Sequence, residues 1–100
     1  MTKVYNKLVR DRIPEIVEGQ GKCCRVEVLP EAAYLQKLEQ KLREELTEYE
    51  QSGEVEELAD LLEVIAATAA ARGYTWQQLL ALREEKREAR GGFEKRLLLL

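Results

Sequence analysis

The sequence predicts an all-α antiparallel helical bundle with a minor short β element. Three observations lead there. The 100 residues hold only 6 glycines and 2 prolines, so helix breakers are few. Between Pro30 and Arg90, three stretches repeat apolar residues at spacings of three and four, with short breaks at QSG and around Gly73. One short segment only, RVEVL, alternates polar and apolar side chains in a strand-like way. The length suits a single domain over residues 1–100. At 45% hydrophobic and 35% charged residues, the composition is that of a folded chain rather than a disordered one.

The elements follow in order. KVYNKLV, residues 3–9, reads as extended or irregular. Asp11 or Arg12 then opens a short helix with Pro14 in its first turn, closing near Gly19 or Gly21. RVEVL, residues 25–29, is the expected strand, ended by Pro30. A long helix begins at Glu31 and runs to about Glu50. QSG connects it to a second helix, from about Glu54 to Ala71, closed by Gly73. Thr75 caps a third helix that reaches Arg90, where Gly91 and Gly92 break it. The tail FEKRLLLL reads as a short strand or a packed extension. The QSG connection is so short that the two long helices must be antiparallel neighbours.

Composition excludes several functions. Net charge is -3, so no strong field draws in nucleic acid, and no stable nucleic-acid partner is expected. No apolar run approaches the ~20 residues needed to span a bilayer, and no basic-then-apolar segment opens the chain. Cys23 and Cys24 are adjacent, poorly placed for a structural disulfide, and no CxxC spacing exists. A reduced, cytoplasmic chain is the expectation. Histidine is absent, which rules out His-based triads, HExxH hydrolases and His-ligated zinc. No GxxxxGKS phosphate loop occurs.

The densest chemical feature is EELTEYEQSGEVEELAD, residues 44–60, with seven glutamates and one aspartate. On a helical wheel Leu35, Leu38, Leu42, Leu46 and Tyr49 form one stripe of the first long helix. Glu45 falls about 80° from its reference line, Glu48 about 140°, and Glu44 directly opposite. In the second long helix the expected buried stripe is Val55, Leu58, Leu62, Ile65 and Ala69. Glu57 and Asp60, three apart, flank it. The hairpin then sets levels: Glu48 should oppose Glu57, and Glu45 should oppose Asp60. Four like charges at such range repel unless protons or a cation compensate them. With oxygen ligands alone, Mg²⁺ suits the cluster, and Mn²⁺ is the alternative. The plain alternative is two solvated acidic helix faces.

These residues also carry a resemblance. Glu44-Glu45-Leu46-Thr47-Glu48 followed by Glu57-Leu58-Ala59-Asp60 has the form EExxE, spacer, ExxD. YNKLVRDRIPEI, residues 5–16, and KREARGGFEK, residues 86–95, flank it. In this order, over nearly the whole chain, the sequence resembles the MazG-like all-α nucleoside triphosphate pyrophosphohydrolases, in a subgroup related to phosphoribosyl-ATP pyrophosphohydrolase. The resemblance implies a cytoplasmic, Mg²⁺-dependent enzyme that cuts a nucleoside triphosphate between its α and β phosphates, giving the monophosphate and pyrophosphate. It implies metal binding by Glu45, Glu48, Glu57 and Asp60, and a homodimer or higher homo-oligomer. The spacer is short, with eight residues between Glu48 and Glu57.

Glu45 and Glu48 are the expected catalytic carboxylates, and Glu48 is the choice for general base on the attacking water because it lies less toward the core. A triphosphate also needs cationic neighbours. Lys7, Arg10, Lys86, Arg90 and Lys95 are the candidates, with Gly91 and Gly92 for close backbone approach and Phe93 for stacking on a base. Trp76 is read as packing, and Lys86 and Arg87 equally as partners in charge pairs along their helix. The rival readings are a non-catalytic helical oligomerisation or adaptor module, and a nucleotide-binding module without turnover.

Overall fold

The structure, a computed structural model, describes residues 6–100. Among these residues it is all-α, with four helices: α1 (Ile13–Gly19), α2 (Glu31–Ser52), α3 (Val55–Ala71) and α4 (Trp76–Arg90). Residues 6–10 are irregular; Lys3, Val4 and Tyr5 of the stretch expected to be so lie outside the described residues. Arg12 stands at the N-cap of α1 and Pro14 lies in its first turn.

Local chemistry sets the helix ends. α2 runs through Ser52, and Gly53 stops it with φ 68° and ψ 10°, its N–H donating to the Tyr49 carbonyl at 2.8 Å. That left-handed backbone suits glycine. α4 begins with a full capping box: the Gln78 N–H donates to Thr75 Oγ1 at 3.1 Å, and the Thr75 N–H donates to Gln78 Oε1 at 2.8 Å.

The packing centre is the antiparallel pair α2 and α3, with α3 touching α4 over a shorter stretch. Helix α1 packs on none of the others; the segment around it reaches the pair through side chains, Arg10 to Asp60 and Lys37 Nζ to the Asn6 carbonyl. No helix among the described residues is long and apolar enough to cross a membrane. Cys23 and Cys24 are free and exposed.

The expected β element is corrected. No strand exists among the described residues; residues 22–30 are irregular, and Val28 is 97% exposed. Alternation alone does not make a strand, because its N–H and C=O groups need a neighbouring strand and one face needs cover. The tail is neither strand nor packed extension: Leu97, Leu98, Leu99 and Leu100 are all exposed.

The face that α3 turns to α2 also differs from expectation. Among the described residues, Leu38 of α2 and Val64 of α3 are the buried apolar ones. Around Val64, the half-buried residues Glu57, Asp60, Leu61, Ala67, Thr68 and Ala71 lie within about 60° on the wheel. The stripe expected to be buried, Val55, Leu58, Leu62, Ile65 and Ala69, lies about 100–180° away. Val55, Leu58, Leu62 and Ile65 are exposed. Helix α3 is apolar on two sides; the second is covered only toward its C-terminal end, where Ala66 and Ala69 are half-buried. The accessible surface is 9298 Å², against about 5,800 Å² for a compact monomer of this mass. The radius of gyration is 17.3 Å where about 13 Å is usual for this length.

Candidate metal centre

The inner face of the α2–α3 hairpin carries the site. Glu45 projects from α2, and Glu57 and Asp60 from adjacent turns of α3. Each offers a carboxylate oxygen, and these oxygens lie within 4.8 Å of one another. Glu45 is 6% exposed, and the other two are half-buried. Glu57 sits in the first turn of α3, where the helix dipole favours a negative charge.

Cations frame the cluster from two directions. Lys41, one turn before Glu45, places Nζ 3.5 Å from Glu45 Oε1 and 4.0 Å from Glu44 Oε2. Arg10 places Nη2 2.7 Å from Asp60 Oδ1. Glu45 Oε2 is buried with no hydrogen-bond partner. Burial raises the Glu45 carboxyl above its ordinary pKa, the negative charge of Glu48 raises it further, and Lys41 opposes both. A buried, unpartnered carboxylate oxygen is costly in a protein interior. A hard divalent cation answers that cost, and three carboxylates without nitrogen or sulfur ligands fit such an ion.

Of the four carboxylates expected to cluster, the structure groups three. Glu48 is exposed and lies outside that group, although its charge acts on Glu45. Of the expected level pairs, Glu45 does meet Asp60, and Glu57 joins these two rather than pairing with Glu48 in the group. Glu44 is half-buried beside Lys41.

The basic and glycine candidates divide. Arg10 reaches the cluster. Among the described residues, Lys7, Lys86, Arg90 and Lys95 form no ion pair with it. Lys86 and Arg90 stand on a helix that is exposed from Leu80 to its end, and Phe93 is 98% exposed. Gly91 has φ 82° and ψ 176°, a backbone essentially restricted to glycine. A β-carbon at Gly92 would run into the Arg87 guanidinium and the Glu94 carboxylate. Arg87 Nη2 and Glu94 Oε1 meet at 2.6 Å, so Arg87 pairs beyond the helix end rather than along it. That hydrogen bond holds the Glu94 carboxyl below its ordinary pKa.

Lys41, and the pairing of Arg10 with Asp60, escaped the sequence reading. Lys41 had a signal, a lysine four residues before a glutamate on one helix face. The Arg10–Asp60 pair, fifty positions apart, had none. Compared with family models, curated proteins and solved structures, the chain gives no match.

Proposed function

We propose that this chain is a divalent-cation-dependent hydrolase that cuts a nucleoside triphosphate between its α and β phosphates. The observation that carries the reading is the buried, unpartnered Oε2 of Glu45 in a group with Glu57 and Asp60. Packing alone gives no reason to keep three carboxylates together with one oxygen orphaned. Glu45, Glu57 and Asp60 would hold Mg²⁺, or Mn²⁺ in its place. Such an ion, when bound, supplies charge neutralisation for phosphate oxygens.

The chain's own groups do the rest. Glu48, exposed and one turn from Glu45, takes the proton from the attacking water. Arg10 stands at the rim, where a guanidinium can grip a phosphate. Lys7 lies nearby in sequence. Lys86, Arg90, Gly91, Gly92, Phe93 and Lys95 lie on or after α4 and come to the site from a second copy. The motif order supports a MazG-like, cytoplasmic enzyme of the phosphoribosyl-ATP pyrophosphohydrolase subgroup.

A homo-oligomer is supported by the outer side of α3. Val55, Leu58, Leu62, Ile65 and Ala69 repeat at spacings of three and four, the heptad seam of paired helices. The same seam favours a second reading, a helical assembly module without turnover.

Pyrophosphate release from a panel of canonical and damaged nucleoside triphosphates with Mg²⁺ separates the two. At least one substrate should release pyrophosphate, with loss on adding EDTA and in Asp60→Ala or Glu48→Ala. No release across the panel, with an oligomer still present, selects the assembly module.

A further inference from the structure

Asp60 does not face the site alone. The Arg10 guanidinium lies 2.7 Å from Asp60 Oδ1, with the two side chains 55% and 46% exposed. The pair is solvent-screened and therefore weak. Arg10 belongs to the irregular residues 6–10, and its carbonyl accepts from the Ile13 N–H at 3.0 Å as α1 begins. One hydrogen bond ties the segment to α2, from Lys37 Nζ to the Asn6 carbonyl at 3.4 Å, and α1, which follows it, packs on no other helix.

The other cation beside the cluster is of a different kind. Lys41 is part of α2 and only 18% exposed, so it is built into the helix that carries Glu45. The cluster thus has one counter-ion built into a helix and one half-exposed on an irregular segment. A positive group on Asp60 repels an arriving divalent cation and competes for the carboxylate's lone pairs. A divalent ion among three carboxylates outcompetes a screened monovalent group on one of them.

We propose that Arg10 is an exchangeable counter-ion of the acidic site. It neutralises Asp60 while no divalent cation is bound, and it leaves Asp60 when one binds. The released guanidinium stays at the rim of the site, since its segment is held to α2 through Asn6 and Lys37. There it presents a planar, bidentate donor to an anion accompanying the metal, a phosphate group above all. Cation binding and anion binding are then coupled through one side chain. The inference rests on the metal-site reading above.

Metal alone tests it. Mn²⁺ binding is titrated without nucleotide by electron paramagnetic resonance, for wild type, Arg10→Gln, Arg10→Lys and Arg12→Gln. Arg10→Gln should tighten Mn²⁺ by about two- to five-fold, the range a screened ion pair supports. Arg10→Lys keeps the charge and should stay near wild type, which guards against an effect of altered folding. Arg12 pairs with Glu15 at 2.9 Å and does not touch the cluster, so Arg12→Gln should change nothing. At saturating Mn²⁺, inorganic pyrophosphate should bind Arg10→Gln more weakly than wild type. Equal tightening in Arg10→Gln and Arg12→Gln overturns the proposal in favour of a general charge effect. Unchanged or weaker Mn²⁺ binding in Arg10→Gln also overturns it, while leaving the metal site standing. Absence of Mn²⁺ binding in all four proteins removes the metal site and this inference together.

Discussion

Lys41 neutralises only one side of Glu45. Its Nζ lies 3.5 Å from Oε1, while Oε2 of the same carboxylate is buried and without a partner. This half-satisfied pair should make the stability of the metal-free protein depend on pH.

Burial first, and the Glu48 charge second, raise the Glu45 carboxyl above its ordinary value of 4.5. A raised carboxyl pKa means that the fold favours the neutral form. Its stabilising contribution is present below the ordinary value and is lost as pH rises through the raised one. In EDTA, the Tm of wild type should therefore fall behind that of Glu45→Gln as pH climbs from 4.5 toward neutrality. Mg²⁺ should then raise the Tm of wild type and not that of the variant. A gap that stays constant with pH would contradict the assignment.

Asp60→Ala and Glu57→Ala each remove a carboxylate from the group of three. Mn²⁺ affinity should fall by at least about ten-fold, the loss seen when even an orienting partner of a metal ligand is removed. Glu44→Ala should stay within about two-fold, since Glu44 only brackets Lys41 at long range. A loss for Glu44→Ala that matches Asp60→Ala would show that the site is misassigned.

Leu62 is 50% exposed on the outer side of α3. Leu62→Glu should leave the α2–α3 hairpin folded and break self-association. Light scattering after size exclusion should give a multiple of 11.5 kDa for wild type and a single 11.5 kDa chain for the variant. Single chains in both samples would remove the seam as a self-association surface.

Two caps should behave differently. Gly53 holds φ 68° with open space around it, so Gly53→Ala brings backbone strain without a clash. That strain is about 1–2 kcal/mol, enough to lower Tm by several degrees, because it falls on the turn joining α2 to α3. Thr75→Ala removes about 1 kcal/mol of capping from a helix whose residues are nearly all exposed. Its effect should be local: faster amide exchange over the first turn of α4, with protection in α2 and α3 unchanged.

The helices were legible because their signals are local. Apolar periodicity placed α2, α3 and α4, Thr75 and Gly73 marked ends, and only the last residues of α2 ran past the expected Glu50 to Ser52. The grouping of Glu45, Glu57 and Asp60 was legible because a short turn brings the two helices level. The face of α3 was not. A helix with apolar residues on two sides offers two ways to dock, and the wheel selects the richer one. The strand at residues 25–29 failed because pairing is a property of two segments. Arg10 was legible as a basic candidate, but no local pattern ties it to Asp60.

The orientation of α3 has a further consequence. A chain arranged for its own stability would turn Leu58, Leu62 and Ile65 inward and leave Glu57 and Asp60 in water. This one does the reverse, a local frustration of the kind that marks functional sites. The acidic face stays inward only as firmly as something outside covers the leucine side. Where the cover is another copy, affinity for the metal becomes a matter of mass action, tight in concentrated protein and weaker on dilution.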